Sequence, residues 1–272
     1  MQTKILFTDL DGTLLNDNKN VSPALFEALQ QLQNMGHILV LSSGRPLNSI
    51  LQVKEMLKLQ NQGLYICAYN GGLVYDCSTK KSVIEKRVSL TDVSYILDMA
   101  KRTNTYCHTY TSTHIVTEKE SEELNFYLRT IHLPVICTPH MLDALSENPF
   151  KLLAVDLTDH AHLEQFKTAL APWSNGRITT LFSNPMYLEL FPATAGKGQA
   201  LTELCQHLQI PLTNAMAAGD MENDISMLKV AGYSVAMQNA APLVKKSAAV
   251  ISKDDNNHDG LLPYIKDFFT LP

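Results

Sequence analysis

The chain contains 272 residues, of which 45% are hydrophobic and 18% are charged, a composition typical of globular proteins. Its net charge of -5 and the scattered positions of its 22 lysines and arginines exclude a nucleic-acid-binding surface, which needs clustered cations. The length exceeds one average domain, so we expect two packed units or one core with a large insertion.

The cysteines and the apolar segments indicate the cellular location. The five cysteines are far apart and form no C-x-x-C pair, which predicts reduced thiols and neither disulfides nor a zinc site. The first apolar segment begins at Ile5 and runs directly into Asp9, which leaves no room for a cleavable signal sequence. No later apolar segment has membrane-spanning length. We therefore expect a cytoplasmic protein that does not associate with a membrane.

The first third of the chain predicts alternating strands and helices. Lys4–Thr8 predicts a short buried strand, and Ser22 and Pro23 predict the N-cap and first residue of a helix that ends at Gly36. The next segments predict, in order, a strand at 37–42, a helix at 47–59 and a strand at 64–69. Such alternation implies a parallel sheet covered by helices on both faces.

The same alternation returns near the C-terminus, whereas the middle of the chain differs. The C-terminal segments predict a helix at 197–208, a strand at 215–218, a helix at 222–231 and strands at 233–236 and 249–251. The middle predicts paired strands at 106–110, 115–117, 178–182 and 187–191, with amphipathic helices at 92–102, 120–131 and 162–170. We therefore expect an α/β protein with a Rossmann-like parallel-sheet core at 1–82 and 186–272. An inserted α+β unit would occupy 83–185, with hinges near Ser82 and Pro185.

Two carboxylates follow the first predicted strand. Asp9 and Asp11, in the segment Asp9-Leu10-Asp11-Gly12-Thr13, would point the same way in extended backbone and could hold one hard cation. One of them could stay ionised as a nucleophile while the other carries a proton. Asp-Gly is also common in turns, so this segment alone favours neither a turn nor a site.

Three further polar segments follow predicted strands of the core. They are Ser42-Ser43-Gly44-Arg45, Asn70-Gly71-Gly72 and Gly219-Asp220-Met221-Glu222-Asn223-Asp224. Ligands of open α/β sheets bind outside the carboxyl ends of the strands, so these segments converge if the strands are parallel neighbours. The Ser43 hydroxyl and the Gly44 amide suit phosphate oxygens, and the last segment suits Mg²⁺. A Ser-Gly turn and an ordinary helix cap are the alternatives.

Lys197 lies between Gly196 and Gly198 at the predicted start of a helix. A cation is unfavourable at that end of the helix dipole, so this lysine needs an anion nearby. It could bind a phosphate and offset the charge of a nucleophilic carboxylate. The alternative is an ordinary lysine on the surface.

Four of these segments together resemble a known family. In this order, Asp9-Leu10-Asp11-Gly12-Thr13, Ser43-Gly44-Arg45-Pro46, Lys197-Gly198 and Gly219-Asp220-x-x-Asn223-Asp224 are similar to the four motifs of the haloacid dehalogenase (HAD) superfamily. The insertion between the second and third motifs resembles the α+β (C2B-type) cap of the Cof-type, class IIB phosphatases, particularly bacterial sugar-phosphate phosphatases. The second motif most often has threonine where this chain has Ser43, which keeps the hydroxyl.

The resemblance implies an Mg²⁺-dependent phosphatase that forms an aspartyl-phosphate. Asp9 would be the nucleophile, and Asp11 the general acid and then the general base. The metal would be held by Asp9, the backbone carbonyl of Asp11 and Asp220, with Asp224 supporting the site from outside. The phosphoryl oxygens would be bound by the amides of Leu10 and Gly44 and by the side chains of Ser43, Lys197 and Asn223.

The substrate is less closely defined. Arg45, Asn70 and Gly71 lie in loops at the active end and Glu189 lies near the returning hinge, which makes all four candidate substrate-binding residues. The leaving group could be a hexose or pentose, a pyridoxal or flavin compound, or a nucleoside. Phosphoryl transfer to another acceptor, as in a mutase, and a non-catalytic module that binds phosphometabolites are the alternatives. We expect a small phosphorylated metabolite as the partner, and a monomer or homodimer.

Overall fold

The computed structural model describes residues 2–272 and contains two β-sheets. The strands are β1 Ile5–Asp9, β2 Ile38–Ser42, β3 Leu64–Ala68, β4 Leu73–Asp76, β5 Lys81–Glu85, β6 Tyr106–Tyr110, β7 Ile115–Thr117, β8 Val135–Cys137, β9 Leu152–Val155, β10 Ile178–Asn184, β11 Tyr187–Pro192, β12 Ala215–Gly219, β13 Tyr233–Ala236 and β14 Val250–Ile251. The α-helices are α1 Pro23–Asn34, α2 Leu47–Met56, α3 Leu90–Arg102, α4 Glu122–Tyr127, α5 His160–Ser174, α6 Lys197–His207, α7 Ile225–Val230, α8 Pro242–Lys245 and α9 Leu262–Phe269.

The larger sheet has the strand order β14-β13-β12-β1-β2-β3-β4-β5. Its pairs from β14 to β3 are parallel, and β4 and β5 add an antiparallel edge. β1 lies in the middle and is buried along its whole length, because helices cover both faces of the sheet. The carboxyl ends of β12, β1, β2 and β3 therefore meet at one edge, and this brings the four polar loops together.

The predicted alternation of the core is confirmed, and its local signals explain where the helices begin. The Ser22 hydroxyl accepts a hydrogen bond from the Leu25 amide at 3.0 Å, and Pro23 is the first residue of α1. The predicted helix at 222–231 is instead a short 3₁₀ turn, Glu222–Asp224, followed by α7. The sequence does not predict the edge strands β4 and β5; β5 has exposed positions that weaken its apolar pattern, whereas β4 is a short, largely buried strand of four residues.

The smaller sheet has the order β10-β11-β9-β6-β7-β8, antiparallel except for β7 with β8. One face packs on α3 and α5 through an apolar cluster that includes Ile96, Phe166 and Leu190. The other face is turned toward the larger sheet, since Leu153 belongs to the main core cluster. The sequence missed β9 because both of its faces are covered, which replaces the alternating pattern by the continuous run Leu152–Val155.

The chain crosses from the larger sheet to the smaller sheet and later returns, and both crossings lie at positions other than the predicted boundaries at 82/83 and 185/186. β5 pairs with β4 in the larger sheet as far as Glu85, and β11 pairs with β9 and β10 in the smaller sheet as far as Pro192. Residues 186–192 therefore belong with the inserted unit, and the predicted hinge at Pro185 lies in the turn between β10 and β11. We propose crossings at 86–88 and 193–196, where Lys86 donates a hydrogen bond to the Thr194 carbonyl at 2.7 Å.

The described residues also bear on membrane insertion and on the state of the cysteines. Among residues 2–272, no helix combines the length and the apolar character that crossing a bilayer requires. The five cysteines are free thiols, and four of them are buried.

Candidate active site

Backbone and side-chain hydrogen bonds join the loops at the carboxyl edge of the larger sheet. The Ser43 amide donates to the Cys67 carbonyl at 2.8 Å, and the Asn70 amide donates to the Ser43 carbonyl at 3.1 Å. The Asn223 side-chain amide then donates to Asn70 Oδ1 at 3.0 Å. The loops after β2, β3 and β12 therefore form one connected structure beside the end of β1.

A buried lysine links the end of β1 to the loop after β12. Lys197 is 0% exposed, and its Nζ lies 2.5 Å from Asp9 Oδ1 and 2.6 Å from Asp224 Oδ1. Burial alone would lower the pKa of Lys197, but the carboxylates of Asp224 and Asp9 raise it, so the amine stays charged. The anion that this helix-start lysine was expected to need is thus a pair of carboxylates.

Three carboxylates are crowded around this single ammonium group. Oxygens of Asp9, Asp220 and Asp224 lie within 4.8 Å of one another. Burial raises the pKa of Asp9 well above its usual value, and Asp224 and Asp220 raise it further against the opposing effect of Lys197. Burial and then Asp224 raise the pKa of Asp220 to about 7. Because this cluster carries more negative than positive charge, its oxygen donors fit a divalent cation.

The hydrogen bonds of Asp224 assign it a supporting place rather than a ligand position. Its Oδ1 accepts from Lys197, and its Oδ2 accepts from the amides of Asp220 and Met221 at 2.9 and 3.0 Å. Gly219 permits this arrangement, since a Cβ there would lie 2.4 Å from Asp224 Cβ. Asp224 therefore positions Lys197 and the Asp220 loop, and its expected role in supporting a metal site from outside stays a prediction.

Asp220 is oriented by a residue of the first loop. The Thr13 hydroxyl donates to Asp220 Oδ1 at 2.9 Å, which stabilises the ionised carboxylate. Gly12 makes this contact possible, because it has a φ of +83° and a Cβ there would lie 2.6 Å from Asp220 Oδ2. The Asp9 and Asp220 loops are consequently fixed against each other.

Asp11 is paired with two cations, which differs from the expectation that it is free to carry a proton. Arg45 binds it in a bidentate manner, with Nε 2.7 Å from Oδ2 and Nη2 2.6 Å from Oδ1, and Lys19 Nζ lies 2.7 Å from Oδ1. Burial would raise the pKa of Asp11, but Arg45 and Lys19 lower it. In this state Asp11 is ionised, so it can act as an acid only after Arg45 has moved away.

The predicted substrate-binding residues separate into two groups. Arg45 and Glu189 line a cavity of about 310 Å³ between the two sheets. Asn70, with a φ of 55°, and Gly71 do not line it. A Cβ on Gly71 would lie 2.4 Å from the Gly196 carbonyl, so Gly71 serves the close approach of two loops and does not line the cavity.

The cavity joins the core motifs to the smaller sheet. Its lining from the core includes Asp9, Asp11, Lys19, Ser43, Gly44, Arg45 and Asn223. Its lining from the inserted unit includes Phe126, Tyr127, Ile131, Lys151, Ser183, Met186, Tyr187 and Glu189. Leu10 and Lys197 do not line the cavity. Lys197 instead binds Asp9, which does line it. Both catalytic candidates and three of the phosphate-binding candidates, Ser43, Gly44 and Asn223, thus border one space.

Sequence reasoning missed several of these residues. Thr13 lies within the first motif, and its hydroxyl was the available signal. Tyr127 and Lys151 carry no local signal, because each is brought to the cavity by contacts with residues distant in the chain. Lys19 lies 8 positions after its partner Asp11. His108 and Tyr110 are buried in the inserted unit behind Tyr127.

Comparisons with known proteins indicate the family of the chain. Residues 6–265 match a family model described as haloacid dehalogenase-like hydrolase. A haloacid dehalogenase-like hydrolase from Bacteroides thetaiotaomicron is 31% identical, with a TM-score of 0.88 over 98% of this chain and 99% of that chain. The 5-amino-6-(5-phospho-D-ribitylamino)uracil phosphatase YcsE of Bacillus subtilis is 27% identical over 97% of this chain and 94% of its own length. The HAD subclass IIB sugar phosphatase BT4131, 21% identical, shares the fold with a TM-score of 0.84 over 98% of this chain and 99% of that chain.

Proposed function

The chain belongs to the haloacid dehalogenase-like hydrolases, and we propose that it hydrolyses small phosphomonoesters, above all sugar phosphates, through an aspartyl-phosphate with Mg²⁺ as cofactor. It is a phosphatase of the Cof-type, class IIB group, with a parallel-sheet core and an α+β cap. The observation that carries the proposal is the buried Asp9–Lys197–Asp224 arrangement at the floor of a capped cavity.

Asp9 performs the first half of the proposed reaction. Lys197 holds Asp9 Oδ1, so Oδ2 is the oxygen that attacks phosphorus in line with the leaving group. The ester P–O bond breaks as the new O–P bond forms. Asp11 gives its proton to the departing alkoxide, so the product leaves as a neutral alcohol. The approaching phosphate prepares this step, since its charge attracts Arg45 and Lys19 away from Asp11 and so raises the pKa of Asp11.

Asp11 performs the second half as a base. Its carboxylate accepts a proton from a water molecule, and the resulting hydroxide attacks the phosphorus atom of the aspartyl-phosphate. The bond between Asp9 and phosphorus breaks, inorganic phosphate leaves, and Asp11 again carries the proton. The return of Arg45 and Lys19 to Asp11 would restore the ionised resting state after this proton is lost to solvent.

The transferring phosphoryl group needs several cationic and hydrogen-bonding partners. We propose that Ser43, the amides of Leu10 and Gly44, Lys197 and Asn223 bind its oxygens. Asp9, Asp220 and the backbone carbonyl of Asp11 would hold Mg²⁺, with Asp224 and Thr13 fixing these groups from behind. When bound, this cation offsets the charge of the phosphate and of the attacking carboxylate.

The proposed substrate also bears on location and assembly. A phosphomonoester is doubly charged near neutral pH and crosses bilayers poorly, so we propose that the enzyme works in the cytoplasm, where such metabolites are made. The Bacillus relative is named for a substrate with a phosphorylated ribityl chain. We therefore place polyol phosphates beside hexose and pentose phosphates among the candidates, and we propose a monomer or homodimer that acts without a nucleic-acid or membrane partner.

The test is a hydrolysis screen of the purified protein with Mg²⁺ over small phosphomonoesters, measuring released phosphate and kcat/KM. We expect turnover of sugar and polyol phosphates without any added acceptor, which also separates hydrolysis from phosphoryl transfer. Turnover that requires an acceptor alcohol would favour the phosphotransferase. The absence of turnover across the panel would favour a binding module.

A further inference from the structure

An ion pair inside the cap lies next to the phosphate site. Lys151 and Glu189 are 1% and 3% exposed, and Lys151 Nζ lies 2.6 Å from Glu189 Oε2. Glu189 pairs in register with Leu153 across β9 and β11, so both charges lie on the sheet face turned toward the core. Both residues line the cavity.

Glu189 reaches the core from the cap side. A Cβ added to Gly44 would lie 3.2 Å from Glu189 Oε1. The same oxygen accepts a hydrogen bond from the Ser183 hydroxyl at 2.8 Å, which fixes its position. Because Gly44 belongs to the phosphate loop, this carboxylate lies beside the first carbons of any bound phosphate ester rather than at the far end of the cavity.

We propose that the Lys151–Glu189 pair selects the substrate of the proposed phosphatase by binding two neighbouring hydroxyl groups of the leaving group. A carboxylate offers about four acceptor positions and an ammonium three donors, so both groups keep free capacity after bonding each other. One hydroxyl can donate to Glu189 while its neighbour accepts from Lys151. This inference rests on the proposed function and specifies it.

The charge balance of the pair decides between classes of leaving group. Lys151 and Glu189 together are neutral, so they attract no second phosphate or carboxylate. A second phosphate would meet the carboxylate of Glu189 at close range and would be repelled. Neutral polyhydroxylated groups are therefore favoured over bisphosphates and nucleotides that carry further phosphates.

A chain of buried rings supplies a third polar group. His108 Nε2 lies 2.8 Å from the Tyr110 hydroxyl, which donates to the Tyr127 hydroxyl at 2.7 Å. Burial lowers the pKa of His108 to about 3, so its ring is neutral. Since Tyr127 already accepts from Tyr110, its own proton is available to an acceptor in the cavity. Tyr127 therefore completes a site for a hydroxyl-rich group.

The test compares two ligands that differ only in hydroxyl groups, sorbitol 6-phosphate and n-hexyl phosphate. Dissociation constants are measured by calorimetry with Mg²⁺ in the Asp9→Asn background, where turnover is not needed. The background protein should prefer sorbitol 6-phosphate. Adding Lys151→Met with Glu189→Gln, which leaves no unpaired buried charge, should reduce this preference at least about tenfold. The control pair Lys101→Met with Glu118→Gln, on the outer face of the cap, should leave the preference unchanged.

A second variant covers the case in which the first fails to fold, as judged by circular dichroism. Tyr127→Phe removes one hydroxyl and should lower the preference about threefold or more. An unchanged preference in the folded variants, or tighter binding of sorbitol 1,6-bisphosphate than of sorbitol 6-phosphate, would overturn the inference. Wild-type protein that binds sorbitol 6-phosphate with the expected preference but hydrolyses no ester would overturn the proposed function and leave the inference standing.

Discussion

The clearest quantitative prediction concerns the pH dependence of metal binding. The pKa of Asp220 is raised to about 7, first by burial and then by the nearby carboxylate of Asp224. A cation binds the ionised carboxylate, so protons and metal compete for the same site. A pKa of about 7 leaves about 1% of Asp220 ionised at pH 5 and about 90% at pH 8. The ionisation of Asp220 alone should therefore raise the apparent affinity for Mg²⁺ about 90-fold over this range, or about 2.7 kcal/mol.

The same raised pKa determines how the stability of the metal-free protein depends on pH. The folded state binds the Asp220 proton more tightly than the unfolded state does. Protonation of Asp220 therefore adds to the free energy of unfolding, and this stabilisation is complete below about pH 4. It is lost as the pH rises toward the folded pKa of about 7. The metal-free protein should thus melt at a lower temperature at pH 8 than at pH 5, and saturating Mg²⁺ should restore most of the difference.

The assay is a calorimetric Mg²⁺ titration at several pH values, with thermal unfolding measured in parallel. Asp220→Asn is the matched variant, since it keeps the size of the side chain but removes its titration. We expect weaker binding for this variant, with a smaller pH dependence than in the wild type, because Asp9, whose pKa is also raised, still titrates. A wild-type dissociation constant that changes by less than about threefold between pH 5 and pH 8 would refute the reasoning.

Three further predictions follow from single contacts. Gly219→Ala should destabilise the protein by about 1–3 kcal/mol in thermal unfolding and lower kcat, because the added Cβ would collide with Asp224. The control Gly36→Asn, at an open position with positive φ, should leave the stability nearly unchanged. Arg45→Ala should raise the pKa of Asp11, so the limb of the kcat/KM pH profile that belongs to Asp11 should move to higher pH. Arg45→Lys should move this limb less, and an unmoved profile in Arg45→Ala would contradict the ion pair. Ser22→Ala should cost about 0.5–2 kcal/mol in chemical denaturation without a change in kcat, since only the N-cap of α1 is lost.

The core could be predicted from the sequence because its signals are local. The end of a buried strand is visible as an apolar run followed by polar residues, and parallel neighbours must bring such ends together. Asp9, Ser43, Asn70 and Asp220 could therefore be grouped before any contact was known. The Ser22 cap was equally readable, since capping depends on residues three positions apart.

The remaining features depend on contacts between distant residues. Arg45 is 34 positions from Asp11, and Lys151 is 38 positions from Glu189, so no pattern in the chain indicates either pair. The cap boundary after β11 could not be seen, because whether a strand joins one sheet or the other is determined by its hydrogen-bonding partners. The supporting role of Asp224 was implied by the resemblance, but its partners, Lys197 and two backbone amides, could not be read from the sequence.

The measurement that tests the central claim most directly is the trapping of the phosphorylated enzyme. Asp11→Asn, which lacks the base for the second half-reaction, is mixed with p-nitrophenyl phosphate and Mg²⁺, because p-nitrophenolate leaves without an acid. After acid quenching, peptide mass spectrometry locates the phosphoryl group. We predict one phosphoryl group on Asp9 and none in the Asp9→Asn, Asp11→Asn double variant. A phosphoryl group on another residue, or turnover by Asp9→Asn at the wild-type rate, would contradict the account.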